Sequence, residues 1–287
     1  TREEMKAAFS QFDTLWIGDS TARRAYATLF ALMNSTSSSV PIPDLDHYRV
    51  IDVNRFYFKG EVDEDSCRHR REKGDSVHMW DNASLCRHVG HRAFDYIRTE
   101  CFKELSTIAR LKEETKRYSL IVIPMGLHDA LRPCGLPTGH NDSSFVMNMT
   151  REGPFKELER QFYTGWEAAL EMANTMELAK SHNNVTTTAL LWRTSGFDST
   201  SDESVTDRAL HLNELSMDLF HNKSMVRSAN GTMVLVDWGK AIFPRSFRPN
   251  KIEGDIGAHY GLEARLLMAQ MTTQQILNLL DQSKSTA

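Results

Sequence analysis

Leu15–Trp16–Ile17–Gly18–Asp19–Ser20–Thr21–Ala22–Arg23–Arg24 sets an apolar strand directly against a helix. Leu15 to Ile17 read as the end of a strand over 14–17. From Thr21 to Met33 the apolar residues Ala25, Leu29, Leu32 and Met33 recur at helical spacing. Gly18–Asp19–Ser20 is the turn between them. Such a turn lifts a serine hydroxyl above the carboxyl end of a sheet, beside a helix N-terminus that favours negative charge. Ser20 is therefore a candidate nucleophile. A serine is weak at its ordinary pKa, so it needs a base and a group that orients the base. The same serine also suits a plainer role, the N-cap of the helix it begins.

Working outward, Tyr118–Ser119–Leu120–Ile121–Val122–Ile123–Pro124 is a continuous apolar run, the pattern of a strand buried on both faces of a parallel sheet. Residues 185–192 repeat that pattern, 233–236 form a shorter strand, and 48–53, 55–58 and, more weakly, 77–80 also read as strands. Helical spacing predicts helices over 94–117, 155–181, 204–220 and 261–280, with a short amphipathic helix or tail over 1–11. Residues 34–40 are a Ser/Thr-rich loop, and an irregular, charged excursion runs over about 59–92. Strands alternating with helices predict an α/β fold, a three-layer sandwich with a mainly parallel central sheet flanked by helices. At 287 residues the chain fits one domain over 1–287.

Composition excludes some functions and narrows the compartment. A formal net charge of −4 and the lack of a long basic run argue against nucleic acid or an anionic membrane as partner. Asn-X-Ser/Thr acceptors occur at Asn34, Asn82, Asn141, Asn148, Asn184, Asn222 and Asn230. Such a cluster points to glycosylation in the secretory pathway, in the Golgi or endoplasmic reticulum lumen or outside the cell. Four cysteines, Cys67, Cys86, Cys101 and Cys134, permit two disulfides of unspecified pairing, the alternative being buried thiols. No signal peptide and no apolar run long enough to span a membrane stand in this sequence, and it opens on Thr, as expected of a lumenal domain excised from an N-terminal anchor or signal. The cysteines lack the paired spacing of a structural zinc site, and the histidines show no ligand-spaced cluster beyond His69/His78 and His88/His91, in the charged excursion and near its end, so no metal or redox cofactor is expected.

The ends of the predicted parallel strands carry the polar residues. After the central strand comes Gly126–Leu127–His128–Asp129, after the next Arg193–Thr194–Ser195–Gly196, and after the last Asp237–Trp238. In parallel sheets ligands bind at this edge. Just before the last predicted helix, Asp255 and His259 stand four residues apart, on one face if the turn is helical.

Gly-Asp-Ser near the start, a glycine motif after the central strand and a late Asp…His pair together resemble the Gly-Asp-Ser-Leu/SGNH hydrolase superfamily. Gly18–Asp19–Ser20–Thr21–Ala22–Arg23 is similar to the Gly-Asp-Ser-x-x-Arg of its PC-esterase branch, which includes plant trichome-birefringence-like, fungal capsule and animal sialic acid O-acetyltransferases. Two motifs depart from the pattern. Asp255-x-x-x-His259 replaces Asp-x-x-His, which leaves Asp237 as an alternative orienting acid. Gly126–Leu127–His128–Asp129 replaces Gly-x-Asn-Asp and resembles the Gly-His variants of plant acetyltransferases.

The resemblance implies acyl transfer through an acyl-serine, with Ser20 as nucleophile, His259 as base and Asp255 orienting it. The Ser20 N–H would hold the oxyanion, joined by His128, a neutral histidine still having one N–H to give, or by a glycine among Gly60, Gly74 and Gly90. Arg23 and Arg193 are candidate substrate contacts or ion-pair partners. Trp16, Trp80, Trp192 and Trp238 fit the core better than sugar stacking, and Met268 and Met271 read as packing. The substrate would be a polysaccharide or glycoprotein glycan, and acetyl-CoA or an acetylated carrier the donor. A carbohydrate O-acetyl esterase shares the first half-reaction, and a non-catalytic glycan-binding domain is a reading from another class.

Overall fold

The computed structural model describes residues 1–34, 84–124, 126–131, 153–180, 187–197, 203–221, 232–246 and 262–285. Among them six strands form one sheet: β1 (Thr14–Gly18), β2 (Leu85–Val89), β3 (Arg92–Arg98), β4 (Leu120–Pro124), β5 (Ala189–Arg193) and β6 (Thr232–Val236). Their order is β2-β3-β1-β4-β5-β6, antiparallel only at the β2–β3 edge and parallel elsewhere. The helices are α1 (Arg2–Phe9), α2 (Ser20–Asn34), α3 (Phe102–Ala109), α4 (Lys112–Thr115), α5 (Leu127–Leu131), α6 (Gly153–Ala179), α7 (Glu203–His221), α8 (Trp238–Ser246) and α9 (Leu262–Ser285). The fold is α/β, a mostly parallel sheet flanked by helices.

Register shows how both faces are covered. Trp16 lies opposite Val122 and Val122 opposite Leu191, so Trp16 and Leu191 share a face while Trp192 projects from the other. On the first face Trp16 meets Tyr26 of α2 edge-on at 6.4 Å, and Phe94 stacks on Tyr26 at 4.9 Å. Helix α9 packs on α2 and α1 there. On the second face Trp192 lies flat on Phe102 of α3 at 5.5 Å and meets Trp166 and Phe162 of α6 edge-on. Trp16, Trp192 and Trp238 are all buried, the packing role expected of them, whereas Trp80 lies outside the described residues.

One predicted element is overturned. The helix expected over 94–117 is the strand β3 followed by α3 and α4. The spacing of Ile97, Cys101, Leu105 and Ile108 imitates one helix across the boundary. Pairing decides otherwise: Asp13 accepts from the Arg92 guanidinium at 2.8 Å and from the Ala93 N–H at 2.9 Å, which fastens β3 beside β1. Buried Asp95 accepts from the Tyr118 hydroxyl at 2.8 Å and the Arg87 N–H at 3.2 Å. The charged excursion is accordingly shorter than expected, since its last residues form β2 and a two-residue hairpin with Gly90 at φ +64°. Gly90 lies at the amino edge of the parallel strands, near Ser10, and is thus removed as an oxyanion donor for Ser20.

The predicted strands over 48–53, 55–58 and 77–80 lie outside the described residues, as do Gly60, Gly74, Cys67, Cys134, His69, His78 and all the glycosylation acceptors but Asn34, which ends α2. Cys86 and Cys101 are each disulfide-bonded. Among the described residues no helix is long and apolar enough to cross a membrane.

Candidate functional site

From β1 the chain moves first to β3 on one side and then through β4, β5 and β6 on the other. The carboxyl end of β1 is therefore the point at which the strand order reverses, where such sheets open a crevice. Ser20 stands there as the first residue of α2.

Its neighbour, not Ser20, caps the helix. Asp19 Oδ1 accepts from the Thr21 N–H at 2.8 Å, the Thr21 hydroxyl at 2.6 Å and the Ala22 N–H at 3.1 Å. These bonds satisfy N–H groups that a helix start otherwise leaves unpaired. The turn is also held from β3. The Tyr96 hydroxyl donates to the carbonyls of Gly18 and Asp19 at 2.8 and 3.0 Å, and the Thr99 N–H donates to Gly18 O at 3.0 Å. Burial raises the Tyr96 phenol well above its ordinary value, so it stays a donor at any ordinary pH. Tyr96→Phe is expected to lower the unfolding free energy by about 1–2 kcal/mol in urea denaturation, with an unchanged midpoint excluding that role for the hydroxyl.

Pro124, Arg193 and Val236 lie level across β4, β5 and β6, so the residues that follow each line one rim. Gly126 adopts φ +117°, a conformation that favours glycine, and a Cβ there would come within 3.1 Å of Ser195 Cβ. His128, half-buried on α5, places Nδ1 2.7 Å from Glu100 Oε2. A neutral His128 whose one N–H faces Glu100 keeps only an acceptor at Nε2, and the imidazolium alone donates from both nitrogens. The expectation that a neutral His128 supplies an oxyanion donor is thereby narrowed to the tautomer that does not donate to Glu100. Asp129 is fully buried and accepts from the Phe102 N–H at 3.0 Å, at the start of α3. Burial pushes its carboxyl up to about 8; the Phe102 bond opposes this rise and the charge of Asp19 adds to it.

Arg193 is buried on the α2 and α9 side of the sheet. It donates to Pro124 O at 3.1 Å, lies 3.5 Å from Thr21 Oγ1 and touches Met268 Sδ. Arg23 is half-buried in the first turn of α2. Asp237 Oδ1 accepts from the Lys240 N–H at 3.2 Å and the Thr194 hydroxyl at 3.3 Å, capping α8. One oxygen of the alternative orienting acid is thus engaged in a cap. Asp255 and His259 lie outside the described residues.

Beside the Ser20 turn opens a cleft with about 360 Å³ of open space, mouth included, lined by Thr21, Arg24, Leu127, Arg193, Trp238 and Arg265 among others. Sequence reasoning singled out Arg23 and Arg193 but missed Arg24, Arg265 and Tyr96. Arg24 follows Arg23 near the start of α2 and carried no separate signal, but helical geometry rotates it about 100° from Arg23, toward α9. Among the described residues no group of acidic, histidine or cysteine side chains is arranged to hold a metal ion. Comparison of the chain with protein-family models, with curated proteins and with solved structures gives no match in any of the three.

Proposed function

We propose that the chain transfers O-acyl groups, in the simplest case acetyl, to glycan hydroxyls through an acyl-serine at Ser20, within an SGNH fold of the PC-esterase type. One observation supports this most: Ser20 opens α2 at the switch point of the sheet while Asp19 takes the capping role that would otherwise explain a serine there. In this reading the Ser20 hydroxyl attacks the acetyl carbonyl as His259, oriented by Asp255, takes its proton. The tetrahedral oxyanion forms at the N-terminus of α2, the donor alcohol or thiol leaves with that proton, and a sugar hydroxyl then takes the acetyl group. The donor is acetyl-CoA or an acetylated carrier. Disulfide-bonded Cys86 and Cys101 together with the glycosylation acceptors support a secretory-pathway setting.

The experiment is p-nitrophenyl acetate turnover with and without xylan, pectin and sialyl oligosaccharides, followed by mass spectrometry of the sugars. The expected result is p-nitrophenol release together with a sugar heavier by one acetyl group. Acetate release with no acetylated sugar identifies an esterase and overturns the transfer step. No release from a folded chain overturns the acyl-transfer reading itself.

A further inference from the structure

Three arginines from distant parts of the chain line the cleft: Arg24 from α2, Arg193 from the end of β5 and Arg265 from α9. Arg193 and Arg265 are buried and Arg24 is half-buried. Among the described residues that line the cleft none is Asp or Glu. Trp238, Leu127 and Met268 supply apolar walls. We infer that the cleft is a binding site for a small oxyanion, a carboxylate or phosphate group held by Arg24, Arg193 and Arg265 beside the turn that carries Ser20.

Two arguments support this. Burial and the neighbouring Arg265 push Arg24 down to about 10, so its charge is opposed where it stands. An oxyanion between the guanidinium groups relieves that repulsion, and the planar fork of arginine matches carboxylate and phosphate with paired hydrogen bonds. The apolar walls exclude water and strengthen each of those bonds. The ligand's charge has two natural sources, the carboxylate of an acidic sugar acceptor or the phosphate of a coenzyme donor. As a substrate-anchoring subsite this assignment rests on the acyl-transfer reading; as an anion site it stands alone.

The test is isothermal titration calorimetry on the full chain carrying Ser20→Ala, which removes acyl chemistry, so failure of the acyl-serine reading leaves this result untouched. The ligands are sodium glucuronate, inorganic phosphate and coenzyme A, with glucose as the neutral control, at low and moderate salt. The expected result is saturable binding of at least one anion, weakened by salt, and no binding of glucose. Preference for glucuronate identifies an acidic acceptor, and preference for coenzyme A a phosphate-bearing donor. Arg24→Gln is expected to weaken binding about tenfold or more, and Arg24→Lys severalfold because the fork is lost. Circular dichroism and ligand-free melting confirm folding, and if Arg24→Gln does not fold, Arg24→Lys decides. Absence of saturable anion binding, or undiminished affinity in the folded Arg24 variant, overturns the assignment.

Discussion

Ser20→Ala is expected to reduce acetyl ester turnover by roughly 10⁴-fold or more while leaving the melting temperature nearly unchanged. In the proposed mechanism the rate loss follows from removing the atom that would be acylated, leaving binding and oxyanion stabilisation alone. The small stability effect follows from the cap. Asp19 Oδ1 holds the N–H groups of Thr21 and Ala22, so the helix start keeps its partners when the serine hydroxyl is gone. Asp19→Ala has the opposite profile in stability, costing about 1–2 kcal/mol as expected for loss of an N-cap. A large fall in melting temperature in Ser20→Ala would return the serine to a capping role and contradict the division of labour between the two residues. Kinetics and calorimetry on both variants measure this directly.

The second large effect is on pH dependence. Asp129 titrates near 8 in the folded chain, against about 3.9 for an ordinary aspartate in an unfolded one. Between those values the folded chain keeps a proton that the unfolded chain has released. Stability therefore falls as pH rises from about 4 to about 8, by up to about 1.4 kcal/mol per pH unit, and this contribution is flat above that window. Asp129→Asn keeps an oxygen to accept from the Phe102 N–H and cannot ionise. The variant is expected to gain stability relative to the parent steadily from pH 5 to pH 8 and then hold that difference. Urea denaturation at unit steps of pH measures it, and parallel stability curves for the two chains would contradict a proton on Asp129.

Much of this arrangement is written locally. The apolar runs of β1, β4 and β5 are buried on both faces, so hydrophobicity alone marks them, and α2, α6, α7 and α9 carry helical spacing over several turns. β2 and β3 are different. Phe94 and Tyr96 are strand residues because Asp13, far earlier in the chain, pins their register, while Ile97 to Ile108 carry a misleading helical period across the junction. The site divides in the same way. Ser20 is legible because strand, turn and helix are contiguous in sequence. The arginine cleft is not, because Arg24, Arg193 and Arg265 meet only through the packing of α2, β5 and α9. The grip of Tyr96 on the Gly18 and Asp19 carbonyls likewise depends on β3 lying beside β1. Asp129 stands three residues after Gly126 like any turn acid in sequence, and it is burial at the start of α3, with the charge of Asp19 added, that raises its pKa.

The acyl-serine at Ser20 is the central claim, and covalent labelling reaches it most directly. A fluorophosphonate probe applied to the folded chain, followed by proteolysis and tandem mass spectrometry, reads which side chain has been phosphonylated. The expected result is a single adduct on Ser20, lost in Ser20→Ala and in His259→Ala. A folded chain that takes up no probe, or that carries its adduct on another residue, would contradict an activated Ser20.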